Sequence, residues 1–311
     1  MGMYTAVANL DQWQRTFGID VENFEQYDIV RYGETIEQSK VTNARTWLEK
    51  HARKIEYNGQ NLTSEKLEKQ IRSYYALRKI AGEKGIDFLG IKAHGDLTDW
   101  YVTMDIAEAF LNDPYDWDGP HEPIIASTES DMDGALTMQI FKYMTGQPVL
   151  FADVRHYEAP EDIWFFGNSG TAATYYAGKS SDPAENMKNV SILPESKDYP
   201  AGGGSVHHFA MPGRITMARL TRRLNQYRLT LVPGEIVHFE REKMERLGGM
   251  ATPQWPVAFT KIKTRPEEFL NNYPCNHIHG VYGDYIREWQ FVAKILGIEV
   301  QILGQWQQHN E

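Results

Sequence analysis

Residues 122–157, EPIIASTESDMDGALTMQIFKYMTGQPVLFADVRHY, carry the pattern on which the fold turns. EPIIASTE has the length and apolar content of a strand, DMDGALTMQIFKYMTG has apolar residues at helical spacing, and PVLFADV is a second continuous apolar run. Strands that are apolar on both faces belong inside a parallel sheet, and strand, helix, strand is the unit from which such sheets are built. Each strand ends in a carboxylate, Glu129 in the first and Asp153 in the second, with Arg155 and His156 close behind. Ligands of open α/β sheets bind beyond the carboxyl ends of the strands, so both acids are expected at one functional edge.

Toward the amino terminus, residues 36–54 and 63–85 read as amphipathic helices, the second opening on the capping pattern Thr63, Ser64, Glu65 and closing at Gly82 or Gly85. IDFLGIKA (86–93) reads as a buried strand, residues 96–113 as a helix, and DQWQRTFGIDVENFEQYDIV (11–30) as a helix, a glycine turn and a short strand. The alternation predicts an α/β domain over 1–146 with a doubly wound, mostly parallel, Rossmann-like sheet. Beyond residue 155 the texture changes to short β-like runs, GRITMARLTR, QYRLTLVPGEIVHFE and WPVAFTKIK, with turns expected at Pro233, Gly234, Gly248 and Gly249. A mainly antiparallel, barrel-like domain is therefore expected over 147–311, closed by a helix at 284–297 and a strand at 298–303.

The 311 residues are 41% hydrophobic, with a mean hydropathy of −0.53 and no apolar run of spanning length, which argues against a membrane protein. A net charge of −10, spread rather than blocked, argues against a nucleic-acid partner. Cys275 is the only cysteine, so no intrachain disulfide can form; together with the lack of a signal-peptide pattern this leads to an expectation of a cytoplasmic protein. There is no Gly-x-Ser-x-Gly elbow, no P-loop and no dinucleotide fingerprint, the run Gly202–Gly204 lacking the strand and helix that such a motif needs.

Glu129 and Asp153, joined by a histidine from NHIH (276–279), make an oxygen-and-nitrogen set suited to a hard or borderline divalent cation. The plain alternative is that Asp131 or Asp133 caps the following helix while Glu129 faces its positive end, and that Asp153 pairs with Arg155 or His156. His277 and His279 are expected to face opposite sides of an extended segment, so that one serves the site and the other packs. His207 and His208 form a second candidate pair.

In order along the chain, MGMYTA, TESDMDGALTMQ, VLFADVRHY, FGNSGTA, AGGGS, TMARLTR, QWP and NHIHGVYGD resemble the L-fucose isomerase family over essentially the whole length. The resemblance implies a manganese ion held by Glu129, Asp153 and His277, with the two carboxylates also acting as acid/base groups. It implies that Ser169, Tyr199, Trp255 and Met1 lie near the sugar, and that L-fucose and L-fuculose, or D-arabinose and D-ribulose, interconvert through an enediol. It further implies a homo-hexamer and a preceding amino-terminal domain, not contained in these residues, that closes over the sugar. Two alternatives stand beside it: an L-arabinose isomerase-like enzyme using a further histidine, and a non-catalytic sugar-binding or assembly fragment.

Overall fold

The computed structural model describes residues 8–169, 171–195, 199–224, 226–249 and 254–304. Helix α1 (Leu10–Phe17) starts where the Asn9 side chain accepts from the Gln12 amide and stops at Gly18, which takes the left-handed conformation at φ 67°. Helices α2 (Gln26–Glu34) and α3 (Gln38–His51) follow, then strand β1 (Lys54–Ile55) and the long α4 (Ser64–Lys84). Residues 27–30, expected as a strand, belong to α2, whose Ile29 joins Val41, Leu48, Leu67 and Ile71 in one apolar cluster of helices. Thr63 caps α4 by accepting from the Lys66 amide at 3.2 Å, and Gly85 ends it at φ 64°.

Strand β2 (Phe88–Gly90) leads to α5 (Asp96–Trp100) and α6 (Asp105–Asn112). These two helices stand where one was expected over 96–113. The break comes at Thr103, whose amide donates to the Gly202 carbonyl at 2.9 Å instead of to the preceding turn. A small pair, β3 (Tyr115–Asp116) and β4 (Gly119–Pro120), precedes β5 (Ile125–Ser127) and α7 (Met132–Thr145).

Strands β6 (Leu150–Glu158) and β7 (Ile163–Gly167), helix α8 (Pro183–Met187) and strands β8 (Ser191–Pro194), β9 (Gly204–His207), β10 (Gly213–Arg223) and β11 (Gln226–Ile236) come next. Helix α9 (Arg241–Gly249), strand β12 (Val257–Lys261), helix α10 (Pro266–Asn272), strand β13 (His277–Tyr282), helix α11 (Ile286–Leu296) and strand β14 (Glu299–Ile302) follow among the described residues.

Six of these strands close into an antiparallel barrel in the order β10, β13, β6, β7, β12, β11 and back to β10, with β14 added in parallel on β11. Pro233 and Gly234, expected to turn the chain, lie inside β11 opposite Thr216 and Ile215. A Cβ on Gly234 would stand 2.8 Å from Met217 and 3.0 Å from the Lys261 carbonyl, so its bareness lets three strands crowd together where the barrel closes.

The doubly wound, Rossmann-like sheet is the expectation that needs correcting. Among the described residues, parallel pairing in the first half is confined to β2 with β5, Phe88 opposite Ile125 and Gly90 opposite Ser127, and to the two-residue pairing of β1 with β8. The strand that carries Asp153 cannot extend a parallel sheet, because β6 is flanked by antiparallel partners on both edges, β13 and β7. The mixed α/β character stands; helices α2, α3, α4 and α6 share one apolar cluster, while α1 and α7 pack with barrel strands.

Candidate active site

Glu129 and Ser130 join β5 to α7 with left-handed backbones, φ 57° and 52°. Neither is glycine, so the turn is held against its local preference. It is pinned by the Ser130 amide, which donates to the Ile91 carbonyl at 2.9 Å, and it lies directly on β2, where a Cβ on Gly90 would stand 3.1 Å from Ser130 Cα. The turn leaves Glu129 partly open, with its carboxylate toward the barrel rim.

Asp153 lies on β6 directly opposite His277 on β13. The β6–β7 register slips between Val154 and His156, so Arg155 has no partner on β7. Its guanidinium turns back to Asp153 Oδ2 at 3.1 Å, and Asn168 donates to Asp153 Oδ1 at 3.0 Å.

The three expected ligands meet at one atom. His277 Nε2 lies 3.4 Å from Glu129 Oε2 and 3.3 Å from Asp153 Oδ1, while Nδ1 of the same ring is 2.7 Å from Asp131 Oδ2. Burial pulls the His277 imidazole down, but Asp131, Glu129 and Asp153 together raise its pKa to about 10. The neighbouring His277 and His94 imidazoles hold Glu129 down at about 2. Burial pushes Asp153 up, against the pull of His277, Arg155 and Asn168.

Among the described residues no three His, Cys, Asp or Glu side chains are already drawn up as a finished cation site. The fold supplies the parts of one. His277 Nε2 is buried without a hydrogen-bond partner, and adjacent ligand atoms on a six-coordinate ion of this class stand about 3 Å apart, within a few tenths of the separations seen here. Asp131 on Nδ1 is the outer partner that a ligating imidazole ordinarily has. The donor set fits a divalent cation.

The expected sugar-side residues adjoin this centre. Ser169 Oγ and Tyr199 OH are 3.1 Å apart, and the Tyr199 ring stacks on His94 at 5.7 Å. His94 Nε2 in turn is 3.1 Å from Glu129 Oε1. The Arg155 guanidinium lies 4.8 Å over the Trp255 ring, whose indole N–H donates to Glu195. Met1 lies outside the described residues. A cleft of about 1410 Å³ opens beside Glu129 and His94.

His277 and His279 do not face opposite sides. Residues two apart on a strand share a face, and both rings lie 4.8 Å from Phe151. What separates them is Asp131 and Arg219: Arg219 Nη1 donates to His279 Nε2 at 3.0 Å, so that ring is engaged away from Glu129 and Asp153. His207 donates to the Trp255 carbonyl at 2.9 Å, and His208 is buried.

Reading the sequence did not find His94, Asn168 or Glu195, and credited Asp131 with a cap alone. The cap is real, the Gly134 amide donating to Asp131 Oδ1 at 3.0 Å, but the other oxygen serves a histidine 146 positions along the chain, which no local signal marks.

Comparison with known proteins places models of two domains on this chain: the second N-terminal domain of L-fucose isomerase over residues 77–146 and its C-terminal domain over 166–303. Curated L-fucose isomerases from Bacteroides thetaiotaomicron and Bacteroides fragilis are 23% and 24% identical to it, each over 96% of this chain. One from Streptococcus pneumoniae is 20% identical over 97%. The chain spans 62–63% of the length of these relatives.

Proposed function

Since the chain belongs to the L-fucose isomerase family, we propose that it carries the cation-binding and acid/base centre of an aldose–ketose isomerase acting on L-fucose or the stereochemically related D-arabinose. The observation that carries this reading is the meeting of Glu129, Asp153 and His277, brought from three separate elements to within 3.4 Å of one imidazole nitrogen. Glu129, Asp153 and His277 are the residues that would hold the ion, manganese in this proposal. When bound, such an ion polarises a carbonyl and stabilises the negative charge that develops beside it.

The rest falls to the chain's own side chains. Aldose–ketose conversion moves a proton between C1 and C2 through an enediol, and one carboxylate accepts a carbon-bound proton while the second handles hydroxyl protons, help worth about 10² to 10⁴-fold. Arg155 and Asn168 keep the Asp153 carboxylate oriented. Ser169, Tyr199 and Trp255 offer two hydroxyls and an aromatic face to a sugar, and the His94 ring backs Tyr199.

The test is ketose formation from L-fucose and from D-arabinose by the purified chain with Mn²⁺. Turnover that disappears in Glu129→Gln and in Asp153→Asn, with far-ultraviolet circular dichroism unchanged, supports the proposal. Turnover that survives either substitution contradicts it. A chain that binds Mn²⁺ but forms no ketose would favour the sugar-binding fragment over the enzyme.

A further inference from the structure

Arg219 on β10 and Asp131 at the start of α7 are both fully buried, and the guanidinium grips the carboxylate with two donors, Nη1 to Oδ2 at 2.5 Å and Nη2 to Oδ1 at 2.8 Å. A buried ion pair is a poor way to gain stability, because desolvation of both ions offsets most of their attraction and well-packed apolar residues in their place often do as well or better. The pair's geometry points to another use. Oδ1 carries the helix cap at Gly134, and Oδ2 receives the His277 Nδ1 proton at 2.7 Å. Both oxygens are committed, so the carboxylate cannot rotate without breaking the bidentate contact.

The surroundings are built to leave room for this arrangement. A Cβ on Gly134 would stand 2.4 Å from Asp131 Oδ2, 2.7 Å from Arg219 Nη1 and 2.7 Å from His279 Nε2. The guanidinium also donates to His279 Nε2, so the second histidine of the motif is occupied on the far side of the pair.

We infer that Arg219 and Asp131 are positioning residues: they fix the His277 ring by its Nδ1 so that Nε2 faces the gap between Glu129 and Asp153, and they keep His279 out of the cation's shell. This rests on the proposal that Glu129, Asp153 and His277 form the metal centre. The pair acts through His277 and touches neither ion nor sugar.

The experiment is Mn²⁺ titration of the full chain, with free ion read by electron paramagnetic resonance, for wild type, Arg219→Met, Arg219→Lys, Asp131→Asn, His279→Gln and His277→Gln. Each is measured well below its own unfolding midpoint, with the fold checked by circular dichroism. Arg219→Met and Asp131→Asn are expected to weaken Mn²⁺ binding by about 10 to 100-fold, the usual cost of losing an outer partner. Arg219→Lys should recover part of that loss, and His279→Gln should leave affinity within a few-fold of wild type.

A merely structural pair would lower the unfolding midpoints of Arg219→Met and Asp131→Asn while both bound Mn²⁺ as wild type does; that result overturns the inference. Where Arg219→Met does not fold, Asp131→Asn decides, since the asparagine can still cap α7. Failure of the metal centre itself would look different: wild type would take up no Mn²⁺, or His277→Gln would bind as well as wild type, and the inference would fall with it.

Discussion

His208 directly follows β9, its carbonyl accepting from the Val257 amide at 2.9 Å, and its ring is buried with its pKa pushed down to about 3, first by burial and then by neighbouring His207. The folded ring is therefore neutral where an unfolded one takes a proton. Below about pH 6.5 the unfolded state binds more protons than the folded state, so stability is full above that pH and is lost as the pH falls from about 6.5 toward 3. The loss from this one ring approaches about 1.4 kcal/mol per pH unit. Urea unfolding at pH 7.5 and pH 5 is expected to show a larger drop for wild type than for His208→Leu; equal drops would mean that the ring takes up its proton in the fold. At this scale the sequence was legible wherever a residue's role follows from its immediate neighbours. Glu129 and Asp153 stand at the ends of apolar runs, which is what marks them as candidates in the sequence. Asp131, His94 and Glu195 take their roles from residues brought by other elements, and nothing beside them in the chain announces it.

Helix α7 joins the two halves of the site, since its cap holds His277 and its second turn packs under β10 and β13. Gly134 decides whether that packing survives. Alanine would favour the helix by about 1 kcal/mol, but its methyl group would push into a buried ion pair whose disruption costs about 3 to 5 kcal/mol. Gly134→Ala is therefore expected to be destabilised by a few kcal/mol, read as a lower thermal midpoint; an unchanged or raised midpoint would show that the cluster yields at little cost. Thr63→Ala is a milder case, a part-buried cap on α4 worth about 1 kcal/mol, seen as a shift of the urea midpoint without change of slope. Element types with strong caps and long periodic faces, α4 and α7, were readable from sequence to within a residue or two. Residues 27–30 were not, because four apolar and polar residues carry no period, and the choice between strand and helix was made by α4 packing against them. Pro233 and Gly234 look like a turn and lie in a strand for a related reason: barrel closure asks for a bare, crowded backbone there, and the hairpin turns instead around Leu224, at φ 55°.

At the scale of the whole molecule, the barrel could be anticipated from its run of short strands, whereas the parallel sheet was over-read. The run from Leu150 to Asp153 is as apolar as any parallel strand, and its partners β13 and β7 begin 124 positions after it (277 − 153) and just beyond it, both antiparallel. A strand buried on both faces in a closed barrel reads the same as one buried in a doubly wound sheet. Among the described residues no helix is long and apolar enough to cross a membrane. The register that places His277 opposite Asp153 brings the two together beside Glu129, which the β5–α7 turn delivers. That juxtaposition is the centre of the account, and the most direct measurement is the anomalous diffraction of a crystal grown with Mn²⁺. A single strong peak bounded by Glu129, Asp153 and His277 Nε2 is the expected result. A peak elsewhere, or none there at saturating Mn²⁺, would contradict it.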